Sequence, residues 1–159
     1  MRVSSSLLRP TAIAAAVLLA AASCKDDPTR PPVSAFAGSY ALVSVSGRTL
    51  PAPYGQVMRV LSGTLVLRAD GTAERRVFYE QPGETLPLLE LEQGTFRVGD
   101  SGRLIFALSN PVSATQDTIR LVGQVVQEAG PAVRGVDIQW GNPMDGPAIV
   151  ESYRTTVTR

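Results

Sequence analysis

Short runs of β-favouring residues, separated by turn signals, fill the chain from Phe36 to Arg159 and constrain its fold more than any other feature. The clearest signal is Asp70-Gly71, which lies between the runs Gly63–Ala69 and Thr72–Glu80. An Asp-Gly pair favours a hairpin because both central positions of a type I′ turn need a positive φ. No stretch of this region keeps apolar residues at helical spacing over three turns, so the pattern predicts strands rather than helices.

Eight such runs are predicted to be strands. Their bounds are Ser39–Ser46, Gly63–Ala69, Thr72–Glu80, Leu88–Val98, Arg103–Ser109, Thr118–Val126, Ala132–Trp140 and Ala148–Thr158. Apolar and polar residues alternate within them, so that Leu65 and Leu67 share one face, opposite to Thr64. This alternation is typical of an antiparallel sheet that is covered on one side only.

The fourth run, Leu88–Val98, departs from this regularity. Its apolar residues are mostly odd-numbered before Gln93-Gly94 and even-numbered after it, which predicts a β-bulge there if one face stays buried. The same alternation puts Glu90 and Glu92 on the solvated face. This pair of carboxylates is therefore not predicted to form an acid–base site.

Eight sequential strands joined mostly by short turns predict an all-β fold, an eight-stranded antiparallel up-and-down β-barrel, for residues 36–159 as one domain. Closure into a barrel removes the open edges of the sheet. A barrel of this size is either filled by side chains or holds one small ligand. A two-sheet β-sandwich is the alternative, because it has similar strand spacing.

Residues 1–23 have the organisation of a secretory signal peptide. Met1–Arg9 carries two arginines and no acidic residue, Thr11–Ala22 is apolar and uncharged, and small residues precede Cys24. These three features together are typical of a cleaved leader. An uncleaved anchor helix is the alternative, but the apolar run is shorter than the roughly 20 residues that a membrane-spanning helix needs.

The stretch Leu19-Ala20-Ala21-Ala22-Ser23-Cys24 resembles a bacterial lipobox, where signal peptidase II cuts before a lipid-modified cysteine. The resemblance implies a mature chain that is attached to a membrane by acyl chains on Cys24. Residues 24–35 would then comprise the lipidated cysteine and a flexible, charged and proline-rich tether. The implied location is the bacterial cell envelope, at the periplasmic face of the inner or outer membrane or at the cell surface. A secreted protein with a free cysteine is the alternative.

The composition argues against several classes of function. The chain has no histidine, one cysteine, and 15 basic against 14 acidic residues. The commonest general base and metal ligand is therefore missing, no intrachain disulfide can form, and the near-neutral charge argues against nucleic acid as a partner. No nucleophile elbow, phosphate-binding loop or zinc-binding spacing occurs. We expect no enzyme, no catalytic residue, no cofactor and no metal site.

Four short motifs stand out along the predicted barrel: Gly38-Ser39-Tyr40, Asp70-Gly71-Thr72, Gly94-Thr95-Phe96 and Tyr153-Arg154. Together they resemble the motifs of bacterial lipocalin-like lipoproteins, in which a G-x-W or G-x-Y element begins the barrel and an aromatic–arginine pair ends it. The resemblance implies a closed calyx for an apolar small molecule. It also implies that Tyr40 plugs one end of the barrel and that Arg154 covers it.

A hollow barrel would have a cavity lined by the residues that share its inner face. The predicted lining consists of Tyr40, Leu65, Leu67, Val77, Tyr79, Phe96, Leu104, Phe106, Ile119, Leu121, Ile138 and Trp140. Arg75 has the same parity as Val77, and an inward arginine could act as a polar anchor by pairing with a ligand carboxylate. The alternatives are a solid core made of the same residues, and an Arg75 that reaches solvent along its own stem.

These observations predict a membrane-anchored lipoprotein of the envelope that binds a small hydrophobic ligand without catalysis. The alternative is a structural or interaction lipoprotein with a solid, ligand-free core. In that case the apolar loop at residues 81–89 would contact another envelope protein. The connections Leu50–Gly55 and Gln81–Leu88 are predicted to fold back as lids over the barrel ends. The alternative is that they form the rim of a pocket or a contact surface.

Overall fold

A computed structural model of the chain describes residues 30–112, 118–127, 133–140 and 148–156. The predicted signal peptide and Cys24 lie outside these residues. The strands are β1 (Gly38–Val45), β2 (Arg48–Thr49), β3 (Ala52–Tyr54), β4 (Met58–Leu67), β5 (Thr72–Glu80), β6 (Leu88–Val98), β7 (Leu104–Ser109), β8 (Thr118–Gln127), β9 (Val133–Trp140) and β10 (Ile149–Thr155). Short 3-10 segments, Val33–Phe36 and Asp100–Gly102, precede β1 and β7. Within the described ranges, no helix has the length and apolar character needed to cross a membrane.

The strands form one antiparallel sheet that closes on itself. The closed ring contains β1 and β4 to β10, because β1 pairs with β10 on one side and with β4 on the other. The predicted eight-stranded barrel is confirmed, and the two-sheet alternative is wrong. Closure leaves no open edge in the ring.

Two short strands outside the ring, β2 and β3, are absent from the sequence prediction. β2 pairs with the end of β1, and β3 pairs with the start of β4. β-Bulges after Leu42 and Val60 lie near the point where β1 and β4 stop pairing with each other. The Leu50–Gly55 connection therefore includes a strand, and it buries Ala52 in the core.

The two ends of the barrel carry different segments. The tether end carries the Val33–Phe36 segment, the turn at residues 68–71 and the Asp100–Gly102 segment. The mouth is the opposite end and carries residues 46–57, 81–87 and 110–112. The chain that would lead to Cys24 therefore joins the barrel at the end opposite to the mouth.

Phe36 and Tyr40 are buried together at the tether end. The Tyr40 hydroxyl donates a hydrogen bond to the Phe36 carbonyl oxygen at 2.7 Å, which satisfies a buried acceptor. Arg154, predicted to cover this end, instead lies on the outer face of β10, where its guanidinium contacts Asp137 at 2.7 Å. Strand alternation explains the difference, because the preceding residue, Tyr153, is fully buried and points inward.

The predicted hairpin at Asp70-Gly71 forms between β4 and β5. Only Gly71 has a positive φ, 85°, so residues 68–71 form a longer loop than a type I′ turn. The Asp70 carboxylate accepts hydrogen bonds from the backbone N–H and the hydroxyl of Thr72, at 2.9 and 2.7 Å. These two bonds lower the pKa of Asp70 and fix the entry into β5.

β6 contains no bulge, and the prediction of one at Gln93-Gly94 is wrong. The register of β6 with β5 and β7 shows no shift. Gly94 has another role, because a Cβ at this position would collide with the carbonyl oxygen of Ala107 on β7. The even-numbered residues of β6 point inward along the whole strand. Glu90 and Glu92 therefore lie on the inner face of the barrel and not on the solvated face.

The inward residues of the ring form one apolar core. Leu65, Val77, Phe106 and Ile138 are among its fully buried members. Burying one such side chain contributes about 1.5–3 kcal/mol, so this core is the main term that favours closure of the sheet. The core occupies much of the interior that the sequence predicted as a cavity.

Candidate binding site

A buried ion pair joins two strands that are not neighbours in the ring. The Nε and Nη2 atoms of Arg75, on β5, donate hydrogen bonds to the two carboxylate oxygens of Glu151, on β10, at 2.9 and 2.6 Å. Both side chains are fully buried. Because β1 and β4 lie between these strands in the ring, the pair crosses the interior of the barrel.

Three further groups complete the surroundings of the guanidinium. Nη1 of Arg75 donates to Glu92 at 2.9 Å and to Glu90 at 3.3 Å, and Nη2 donates to the hydroxyl of Tyr79 at 3.3 Å. The five N–H donors of an arginine are thereby matched by five hydrogen bonds. We call Arg75, Tyr79, Glu90, Glu92, Glu151 and Tyr153 the Arg75 cluster.

Two tyrosines donate hydrogen bonds to the carboxylates of the cluster. The Tyr79 hydroxyl donates to Glu90 at 2.6 Å, and the Tyr153 hydroxyl donates to Glu151 at 2.7 Å. Burial raises the pKa of both tyrosines, so both remain protonated donors at neutral pH. The ring of Trp140 covers the guanidinium at 4.2 Å, a distance at which a cation–π contact is favourable.

The Arg75 cluster carries an excess of negative charge. When all its groups are ionised, three carboxylates face one guanidinium, which leaves two excess negative charges. Burial raises the pKa of Glu92, although the neighbouring Arg75 opposes this shift. Burial by itself would lower the pKa of Arg75, but the hydrogen bonds and charge of Glu151 more than offset it, so this pKa is raised. The guanidinium therefore stays charged.

Arg75 was a candidate polar anchor for a ligand carboxylate. It points inward, as its parity indicates, but its donors are all engaged by residues of this chain. Its ion-pair partners Glu90, Glu92 and Glu151 were missed because charged residues are expected on the outer face. Glu90 and Glu92 have the same parity as Phe96, so an uninterrupted alternation along β6 places all three on the inner face. This shared parity was the signal that could have revealed two of the three partners.

A pocket of about 260 Å³ opens at the mouth, next to the Arg75 cluster. It is lined by Tyr54, Met58, Tyr79, Leu88, Leu89, Glu90 and Asn110. The rings of Tyr54 and Tyr79 lie 5.2 Å apart, tilted by 60°. Tyr79 and Glu90 belong to both the pocket and the cluster, so the buried charges lie directly behind the wall of the pocket.

Within the described part of the chain, only one of the two carboxylate oxygens of Glu90 is engaged. Arg75 and Tyr79 both donate to its Oε2 atom. Oε1 accepts no hydrogen bond from the residues that the structure describes, and the side chain is 37% exposed. Glu90 is therefore the acidic group through which the cluster meets the pocket.

The predicted cavity lining falls mostly in the core and not around this pocket. Tyr79 alone of that set lines the pocket. The buried core contains Tyr40, Leu65, Leu67, Val77, Phe96, Leu104, Phe106, Leu121 and Ile138. Trp140 is partly buried over Arg75, whereas Ile119 is 38% exposed because it lies near the mouth end of β8.

Exposed apolar side chains surround the mouth. They are Val57, Leu86, Leu88, Leu89 and Val112, each between 46% and 85% exposed. Residues 81–89 are all exposed, so this loop does not pack over the barrel end as the predicted lid would. Among the residues that the structure describes, the rim of the pocket is therefore apolar and exposed.

The fold and the pocket define the class of protein to which this chain belongs, a closed eight-stranded β-barrel with an open pocket at one end. Comparisons with protein-family models, with curated proteins and with solved structures found no match. Among the described residues, no group of three or more acidic or cysteine side chains is arranged to hold a metal ion.

Proposed function

We propose that this protein is a lipid-anchored lipoprotein of the bacterial envelope, with a lipocalin-like barrel that binds a small, largely apolar ligand without catalysis. The observation that carries the proposal is the pocket at the mouth, where Tyr54, Met58 and Leu88 provide apolar walls beside one carboxylate. Small-molecule sites commonly combine apolar walls with a few polar groups in this way. A volume of about 260 Å³ suits a small ligand or one end of a longer ligand.

The proposed anchor determines which way the pocket faces. Cys24 precedes Val33 by nine residues (33 − 24), and Val33 lies at the tether end. Nine extended residues span at most about 30 Å. Acyl chains on Cys24 would therefore hold the tether end towards the membrane and leave the mouth directed away from it.

A pocket-filling variant tests ligand binding. The probe is 1-hexanol, titrated into the full chain and followed by NMR chemical-shift changes. We expect hexanol to bind the unmodified chain, and Met58→Trp to abolish this binding because the indole fills the pocket. Val122→Trp is the matched control, since Val122 lies exposed on the outer face of β8. No binding of hexanol to the unmodified chain, or equal binding to both variants, would contradict the proposal.

A protein-interaction role is the second candidate, and the exposure of the rim favours it. Leu86 is 79% exposed and Leu88 52% exposed, in the 81–89 loop for which a contact surface was the alternative prediction. A photo-crosslinking residue at Leu86 should then capture a defined envelope protein in cells. The same residue at Phe78, on the outer wall of the barrel, should not capture it.

A further inference from the structure

We propose that the mouth pocket selects organic cations, namely ligands with a protonated amine on a small apolar body. This inference rests on the proposed ligand-binding function and specifies the ligand class for the same pocket. Three features of the described residues support it: an unengaged oxygen on Glu90, the excess charge behind it, and the aromatic walls.

Glu90 supplies the acceptor for the amine. Its Oε2 atom already accepts from Arg75 and Tyr79, at 3.3 and 2.6 Å, which fixes the position of the carboxylate. No donor among the described residues reaches its Oε1 atom, which leaves this atom for a donor that enters from the pocket. An ammonium group is the strongest such donor, because hydrogen bonds between ionised groups are about twice as strong as neutral ones.

The charge balance of the Arg75 cluster favours a cation over an anion. Even with Glu92 protonated, the carboxylates of Glu90 and Glu151 outnumber the single guanidinium by one. An anionic ligand would also find no donor on Arg75, because its five N–H groups are engaged inside the barrel. The pocket is therefore expected to reject carboxylate ligands such as fatty acids.

The walls of the pocket suit the rest of such a ligand. Tyr54 and Tyr79 present two tilted rings, and an ammonium group near an aromatic face gains a cation–π attraction. Met58 and Leu88 supply the apolar contact for a short hydrocarbon body. The volume of about 260 Å³ restricts the bound part to a short chain or a single ring.

Three probes of equal length distinguish the contribution of charge to binding from the contribution of apolar contact. Hexylammonium, 1-hexanol and hexanoate are each titrated into the full chain, with dissociation constants measured by NMR. We expect hexylammonium to bind about 10-fold more tightly than hexanol, and hexanoate to bind more weakly than hexanol. Raising the salt from about 0.05 M to about 0.5 M should weaken hexylammonium binding and leave hexanol binding unchanged.

A variant that removes the charge of Glu90 tests whether this residue causes the preference for hexylammonium. Glu90→Gln keeps the shape of the side chain, and we expect it to reduce the preference for hexylammonium over hexanol to within about 2-fold. Glu84→Gln is the matched control, because Glu84 is an exposed glutamate in the 81–87 segment at the same end of the barrel. It should leave the preference unchanged.

The outcomes distinguish this inference from the proposed function. Equal affinity for hexylammonium and hexanol, or a preference for hexanoate, would overturn the cation selectivity and leave ligand binding in place. Failure of all three probes to bind would overturn both proposals. The comparison among probes uses the unmodified chain, so the inference remains testable if Glu90→Gln fails to fold.

Discussion

Arg75 and Glu151 meet across the interior of the barrel through two parallel hydrogen bonds, and neither side chain is exposed to solvent. The residues lie 76 positions apart in the chain, on strands separated in the ring by β1 and β4. A buried charge is tolerated only when it is paired, so each residue requires the other. The pair therefore makes one particular arrangement of the closed sheet more favourable than other packings of the same strands.

Loss of the Glu151 charge should destabilise the protein strongly. In Glu151→Gln the Arg75 guanidinium loses its bidentate partner, and we expect the free energy of unfolding to fall by about 3–5 kcal/mol. Equilibrium unfolding in urea measures this change. The control is Glu80→Gln, which removes a half-exposed ion pair with Arg59 and should cost less than about 1 kcal/mol. Similar losses in the two variants would contradict a structural role for the buried pair.

Glu92 should make the stability depend on pH with a definite sign. Its pKa is raised in the folded state by burial, so the folded protein binds more protons than the unfolded chain above the ordinary glutamate pKa. Stability from this group is present at low pH and is lost as the pH rises through the raised pKa. We therefore expect the stability of Glu92→Gln, relative to that of the unmodified chain, to increase as the pH rises from about 4 to about 7.

Glu74 provides the opposite control for this measurement. Burial opposes its ionisation, but a hydrogen bond from Gln93 and the charges of Arg76 and Arg68 more than offset this, so its pKa is lowered. Its contribution is present at neutral pH and is lost as the pH falls. Glu74→Gln should therefore lose stability relative to the unmodified chain as the pH rises towards the ordinary glutamate pKa, and this difference should then stay constant up to about pH 7. If the stability of both variants relative to the unmodified chain changed with pH in the same way, the raised pKa assigned to Glu92 would be ruled out.

Gly94 should tolerate no side chain. A Cβ at this position would overlap the carbonyl oxygen of Ala107, a backbone atom of β7 that can move only with its strand. We expect Gly94→Ala to lower the free energy of unfolding by about 3 kcal/mol or more, measured in urea. Thr95→Ala is the neighbouring control on the exposed face and should change stability by less than about 1 kcal/mol. A mild effect of Gly94→Ala would mean that β6 and β7 are not held this closely.

The ring of strands could be predicted from the sequence because the signals for it are local. Alternation of apolar and polar residues and the Asp70-Gly71 turn lie within a few residues of each other, and they located all eight barrel strands. β2 and β3 were missed because strands of two and three residues are too short to show a period. Their pairing with β1 and β4 depends on where those two strands separate, which no short pattern reveals.

Most of the site was missed because it violates the rule that located the strands. Alternation predicts charged residues outside, whereas Glu90, Glu92 and Glu151 lie inside with Arg75. The change of parity in β6 resembled a bulge because these inward residues are glutamates rather than apolar residues. Tyr79 was correctly placed on the inner face. Its neighbour Tyr54 reaches the pocket through β3, whose pairing the sequence did not predict.

The position of the proposed lipid anchor predicts which end of the barrel faces the membrane. β5 has nine residues, so the barrel is roughly 25 Å tall at the rise and tilt usual for such strands. With a tether of at most about 30 Å joined at Val33, the mouth would stand farther from the bilayer than the tether end.

A fluorophore on Ser34→Cys should therefore be quenched more by spin-labelled lipid headgroups than one on Leu86→Cys, in vesicles that carry the lipidated chain. The Cys24→Ala variant cannot be lipidated, so it should not bind the vesicles, and neither fluorophore should be quenched. Stronger quenching at Leu86→Cys would mean that the apolar rim itself lies on the bilayer, because only an inverted barrel brings residue 86 closer to the lipid than residue 34.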